Sequence, residues 1–130
     1  GNLVEEVGFF TTEDTCFGLS PDGLIDDDGV LEIKTMVGSE TLFTAVASGD
    51  VSAYMDQCLG YLWLLGRQWV DLVLWAPDFG HMVIHRITRD EDAIEALEAD
   101  LLAFAKLVQS YEDTLRTALA VNNEQAELAA

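Results

Sequence analysis

The chain has 130 residues, half of them hydrophobic, with 24 acidic side chains against six basic ones and a net charge of −18. Such a length and composition describe one globular domain with its own core rather than a disordered chain. No apolar run is long enough to cross a bilayer, the N-terminus lacks the basic and apolar regions of a signal peptide, and the charge opposes tight binding of a phosphate backbone by these residues alone.

Residues 7–12 and 15–19 read as short strands, with Thr12-Glu13-Asp14 as the turn between them. Residues 23–26 and 30–35 form a hairpin across the turn sequence Asp26-Asp27-Asp28-Gly29. Residues 39–48 read as a short helix that Ser39 caps and Gly49 ends. Residues 51–65 are a strongly apolar helix closed by Gly66, with Tyr54, Gln57 and Tyr61 on one face. Strands at 69–76 and 82–88 follow, joined by a turn at Pro77-Asp78-Phe79-Gly80-His81. Thr88 and Glu91 have capping-box spacing and open the last helix. Its stripe of Ile94, Leu97, Leu101, Phe104, Val108, Tyr111 and Leu115 predicts packing against the sheet or a partner subunit. After Ala120 the polar, alanine-rich composition predicts a fraying tail. The order predicts an α/β fold in which helices flank a mixed sheet.

The hairpin carries the chemistry. Side chains two apart on a strand share a face, so Glu32 and Lys34 point the same way and the turn can bring Asp22 beside them. Two carboxylates next to a lysine suit a divalent metal and a phosphate. The metal would polarise the phosphate, and Lys34 would orient the attacking water or neutralise developing charge. Gln57 is placed to hydrogen-bond that water or Lys34, and Tyr54 to contact a DNA backbone. The bland reading of an alternating Glu-x-Lys is an exposed ion pair. Against it, the apolar neighbours Leu24, Val30, Leu31 and Ile33 belong to a strand that a sheet would bury. Asp26, Asp27 and Asp28 are expected to be turn residues only, lacking the later glutamate of an EF-hand loop.

Other candidates carry less. Cys16, on a predicted strand, and Cys58, on the apolar helix, have no metal-ligand spacing and read as buried free thiols of a reducing cytoplasm. His81 and His85 read as surface histidines. Ser20 has no catalytic triad around it. Trp63, Trp69 and Trp75 read as core or interface aromatics, and no glycine-rich nucleotide loop is present.

The segments Gly18-Leu19-Ser20-Pro21-Asp22-Gly23-Leu24, Leu31-Glu32-Ile33-Lys34 and Ser52-Ala53-Tyr54-Met55-x-Gln57 resemble the core of the phage lambda exonuclease family. This is the YqaJ-like viral recombinase branch of the PD-(D/E)xK nucleases, and the resemblance runs over residues 16–88. It implies a restriction-endonuclease-like core. Asp22 and Glu32 would then be ligands of Mg²⁺ or Mn²⁺, with the Ile33 carbonyl a further ligand. Lys34 would be the catalytic lysine, Gln57 would support the site, and Ser20 and Tyr54 would meet DNA.

The resemblance further implies 5′-to-3′ degradation of one strand of linear duplex DNA, a ring-shaped homotrimer and a single-strand annealing protein as recombination partner. It places the protein off the membrane, in the cytoplasm of a bacterium or phage-infected host. Full members carry a helical N-terminal portion ahead of the segment matching Gly1, which supplies a further acidic ligand and basic groups. Residues 1–120 are therefore expected to be the C-terminal catalytic core and 121–130 a flexible tail. The competing expectation is a non-catalytic or truncated nuclease-fold module kept for oligomerisation or partner binding. A Cas4-like iron–sulfur nuclease is disfavoured because no cysteine cluster is present.

Overall fold

The computed structural model describes residues 1–130, in two compact units, Gly1–Leu97 and Glu98–Ala130. The first unit is built on a five-stranded mixed sheet in the order β1-β4-β5-β6-β7. Its strands are β1 (Val4–Glu5), β4 (Gly23–Ile25), β5 (Gly29–Thr35), β6 (Trp69–Ala76) and β7 (His81–Thr88), while β2 (Phe10–Thr11) and β3 (Gly18–Leu19) form a separate pair. β5 and β6 run parallel, and the other neighbours are antiparallel. A parallel pair needs a long crossover. Here it runs through α1 (Ser39–Leu42), a π-helical turn (Phe43–Ala47), a 3₁₀ turn (Ser52–Tyr54) and α2 (Met55–Leu65).

The expected hairpin is present, and its aspartates do more than turn the chain. Asp26 adopts a left-handed φ of 46°, a conformation that aspartate tolerates better than most residues. Its Oδ1 accepts the Leu3 N–H at 2.8 Å and its carbonyl accepts Arg67 Nη1 at 2.9 Å. Those bonds fasten β1, a strand too short to leave a sequence pattern, along β4. Beyond the turn, Gly29 lies beneath the Trp69 indole, where any Cβ would come within 2.2 Å of the ring. Arg86 also stacks over the Trp69 ring, 3.7 Å from the ring centroid, and is held by a two-point bond to Asp71.

Several expectations are corrected. The strands at 7–12 and 15–19 shrink to two residues each, because Asp14 Oδ1 accepts both the Thr12 hydroxyl at 2.6 Å and the Cys16 N–H at 3.0 Å. Local side-chain bonds of this kind compete with a ladder. Cys16 consequently sits exposed at a bend, not buried in a strand, whereas Cys58 is buried as expected. Ser39 does not cap its helix. The N-cap is Gly38, whose carbonyl accepts the Leu42 N–H, and after Leu42 the chain widens into the π turn. Thr88 stays paired in β7, and Glu91 is drawn to Arg89. Asp90 caps α3 (Glu91–Ala129), with Oδ1 accepting the Ala93 N–H at 3.2 Å.

α2 ends at Gly66 in the left-handed conformation, φ 65°, with its N–H on the Leu62 carbonyl. The helix buries Cys58, Leu59, Tyr61 and Leu62 against Val30, Val70, Leu72 and Leu74 of the sheet. Each such aliphatic side chain contributes roughly 1.5–3 kcal/mol. Trp63 meets Phe17 edge-on at 5.6 Å and packs on the same core, whereas Trp75 is exposed. Ile94 and Leu97 of α3 also join it. Further along α3, Leu101 is half-buried, while Phe104, Val108, Tyr111 and Leu115 are exposed, and the helical backbone continues to Ala129, past the expected fraying point at Ala120.

Candidate active site

The strand register decides which side chains reach the α2 side of the sheet. Val30 pairs with Val70, Glu32 with Leu72 and Lys34 with Leu74, and all three β6 partners are fully buried. Glu32 therefore stands in a row of core residues and is only 4% exposed. Ile33 points the other way and is 45% exposed, so the carboxylate lies inside and the isoleucine outside. Hydrophobicity alone would have chosen the opposite.

A buried carboxylate must be paired and hydrogen-bonded. Lys34 Nζ lies 2.6 Å from Glu32 Oε1, and Gln57 Nε2 donates to the same oxygen at 2.9 Å. Tyr61 Oη donates to Oε2 at 2.6 Å. The second amide hydrogen of Gln57 goes to Tyr61 Oη at 2.7 Å. α2 makes this possible because Gln57 and Tyr61, four apart, stand one above the other on its face. Gln57 thus serves Glu32 and Tyr61 rather than Lys34. The Tyr54 ring, in the turn that leads into α2, lies 5.9 Å from Lys34 Nζ, and its hydroxyl reaches Met36 Sδ at 3.9 Å.

Asp22 is brought in from the other strand. Its N–H bonds to the Leu31 carbonyl at 3.1 Å, and its Oδ2 accepts the Ile33 N–H at 2.6 Å. Alternation along β5 therefore aims the Ile33 carbonyl toward the same Asp22 edge as the Leu31 carbonyl. Ser20 stands apart, its hydroxyl directed to the Gly8 carbonyl at 3.4 Å and only its own carbonyl meeting Tyr61 Oη, at 3.3 Å.

The donors gathered here are oxygens. No group of three or more His, Cys, Asp and Glu side chains converges on one point, so the site offers two carboxylates and a backbone carbonyl. That set fits Mg²⁺, which takes one or two carboxylates and keeps several waters, better than zinc, which favours nitrogen and sulfur. Of about four acceptor positions on the Glu32 carboxylate, three are taken by Lys34, Gln57 and Tyr61, leaving one on Oε2.

Burial pushes the Cys58 thiol up to about 11, the Glu32 charge adding to the rise and Lys34 opposing it. Cys58 is thus a protonated packing residue beneath the site, not a nucleophile. Tyr61 is also pushed up, chiefly by burial and then by its bond to Glu32, so it keeps its proton as a donor. Its helical spacing from Gln57 was the signal for its place here, but spacing could not say that both would turn onto Glu32.

The histidines do not join the site. His81 is exposed. His85 lies in the Leu72 row of the sheet, half-buried with Nε2 enclosed and unpaired, and so is not the surface residue expected. Four residues apart on one strand, the two are separated by about 13 Å of chain, too far to share a metal.

A five-stranded mixed sheet flanked by helices, with a carboxylate–lysine cluster on its central strand, defines an exonuclease-like fold. The chain is similar to the alkaline exonuclease LHK-Exo from Laribacter hongkongensis, with 31% identity and a TM-score of 0.81 over 92% of this chain and 63% of that one. The structure of LHK-Exo in complex with dAMP matches at 31% identity and a TM-score of 0.60, over 88% of this chain and 64% of that one. The chain therefore spans less than two thirds of the length of that exonuclease. No protein-family model and no curated protein sequence matches it.

Proposed function

We propose that the chain is the catalytic core of a lambda-type exonuclease that degrades linear double-stranded DNA from 5′ to 3′ with Mg²⁺, Mn²⁺ substituting. The observation that carries this reading is the buried Glu32, bridged to Lys34 and Gln57 and flanked by Asp22, in a fold similar to LHK-Exo. Asp22, Glu32 and the Ile33 carbonyl would hold the metal. When bound, it polarises the scissile phosphate and acidifies a water. Lys34 brings a positive charge to the oxygen developing charge in the transition state. Gln57 fixes the Glu32 carboxylate, and Tyr54 lines the approach to Lys34, where a DNA backbone would pass, with Ser20 in the loop that leads into Asp22 as a further DNA contact.

Phage-type recombination with a single-strand annealing protein, in the cytoplasm of a bacterium or infected host, is the setting that the resemblance supplies. Assembly of copies, as a trimer, would cover the exposed Phe104, Tyr111 and Leu115 of α3. No helix is long and apolar enough to cross a membrane.

One observation favours a second reading, a non-catalytic nuclease-fold module. Five of the six basic side chains are already engaged. Lys34, Arg86, Arg89 and Arg116 pair with carboxylates, and Arg67 holds the Asp26 and Gly29 carbonyls. Little positive charge is left to grip a duplex. Incubating the chain with end-labelled linear duplex and Mg²⁺, beside Lys34→Ala, separates the two. The enzyme reading expects label release that Lys34→Ala loses by at least two orders of magnitude, and the module reading expects equal, background release from both.

A further inference from the structure

We infer that the apolar groove at the C-terminal ends of β5 and β6, walled by Phe43 and Phe79, is a nucleobase subsite: it takes an unpaired base of the DNA strand engaged at Glu32 and Lys34. The inference rests on the nuclease reading above and adds a binding surface to it. The groove has a volume of about 780 Å³, within the range of clefts that hold small organic ligands. Its floor is the buried Met36 and Ala76, while Val37, Phe43 and Phe79 stand around it, 79%, 67% and 73% exposed. Large apolar side chains left in water around one cleft mark a binding surface. The local backbone presents both rings. The π-helical turn begins at Phe43, whose carbonyl accepts the Ser48 N–H at 3.0 Å, and such turns recur at functional sites. Phe79 closes a 3₁₀ turn, Pro77–Phe79, which Gly80 ends in the left-handed conformation, φ 56°.

The groove continues from the Glu32 cluster. Met36 follows Lys34 by two positions, and its N–H extends the β5–β6 ladder onto the Trp75 carbonyl at 2.7 Å. Met36 therefore lies on the same side of the sheet as Lys34, roughly 7 Å further along, about two stacked nucleotides of one strand. Tyr54 joins the two, with its hydroxyl on Met36 Sδ and its ring beside Lys34 Nζ. Charge then selects which part of a nucleotide enters. No lysine or arginine lines the groove and Asp78 does, so a phosphate is repelled. A neutral base is not, and its π-face stacks on an aromatic side chain whichever base it is.

Label release with Mg²⁺ by wild type and by Phe43→Ala/Phe79→Ala tests the assignment, on normal linear duplex and on duplex with abasic sugars at its 5′-terminal positions. On normal DNA the double variant is expected to lose about 5–150-fold in kcat/KM, the range that base–aromatic stacking supplies. Wild type is expected to lose a similar factor on the abasic DNA, on which it and the double variant should match. A loss in the double variant that persists undiminished on the abasic DNA overturns the base contact, because phenylalanines that only support the fold would lower both rates alike. Wild-type kcat/KM in the double variant on normal DNA, the result if the groove seats a protein partner instead, also overturns it and leaves the nuclease reading standing. No release by wild type from either DNA overturns the nuclease reading and this inference with it. Should the double variant not fold, Phe79→Ser, at an exposed turn position, carries the same comparison, and an unchanged rate on normal DNA overturns the inference there too.

Discussion

Replacing Lys34 with methionine keeps a flexible stem on β5 but removes the cation 2.6 Å from Glu32 Oε1. Glu32 is 4% exposed, so its charge cannot simply turn to water. The gross attraction between charges 2.6 Å apart at an effective dielectric of 20 is about 6 kcal/mol, before desolvation is counted. Breaking a buried pair on one side typically costs about 3–5 kcal/mol. Two features lower that figure. The Lys34 side chain is 27% exposed, and Gln57 and Tyr61 continue to donate to the stranded carboxylate. We therefore expect Lys34→Met to destabilise the chain by about 2 kcal/mol in urea unfolding at neutral pH with EDTA present. Glu32→Gln/Lys34→Met should cost less than the sum of its single variants by about 1–2 kcal/mol. Mn²⁺ should narrow the Lys34→Met deficit, since the cation takes over compensation of Glu32. A Lys34→Met variant within about 0.5 kcal/mol of wild type, or strict additivity in the double variant, would refute the buried-pair reasoning.

Three other expectations follow from the packing, the cap and the thiols. Gly29→Ala forces a Cβ into the Trp69 ring and should cost about 1–3 kcal/mol in urea unfolding, with much of the loss recovered in Gly29→Ala/Trp69→Leu. Asp90→Ala should lower stability by about 1 kcal/mol through loss of the α3 cap, whereas Thr88→Ala should be close to neutral by the same measurement. Cys58 loses its proton near 9 when unfolded and only near 11 when folded, so its contribution to stability is complete below pH 9 and is lost as pH rises toward 11. Urea midpoints across that range check it, and thiol labelling at neutral pH should modify exposed Cys16 at once and Cys58 only on unfolding.

The parts of the fold that were legible in sequence are those set by nearby residues. The hairpin at Gly23–Thr35, α2 with its Gly66 stop, and the β6–β7 pair all follow from local alternation, helical spacing and turn chemistry. The gathering of Glu32, Lys34 and Gln57 was legible for the same reason, since β5 alternation and one helix face define it. What escaped depends on contacts distant in sequence or on competition between nearby partners. β1 exists because Leu3 meets Asp26, 23 residues away. Asp90 outcompeted Thr88 as a cap because Thr88 was already held opposite Trp69. The inward turn of Tyr61 and the half-burial of His85 required the sheet register, which no local pattern encodes.

The central claim is that the Asp22–Glu32–Lys34 cluster hydrolyses phosphodiesters. Its most direct test is quantitative release of labelled mononucleotide from linear duplex DNA by the wild-type chain and by Glu32→Gln, each with saturating Mg²⁺ and again with EDTA. The account predicts release by wild type that EDTA abolishes and that falls at least a hundredfold in a folded Glu32→Gln, roughly the loss of one essential charge-stabilising group. Equal release by the two chains, or release indifferent to EDTA, would contradict it.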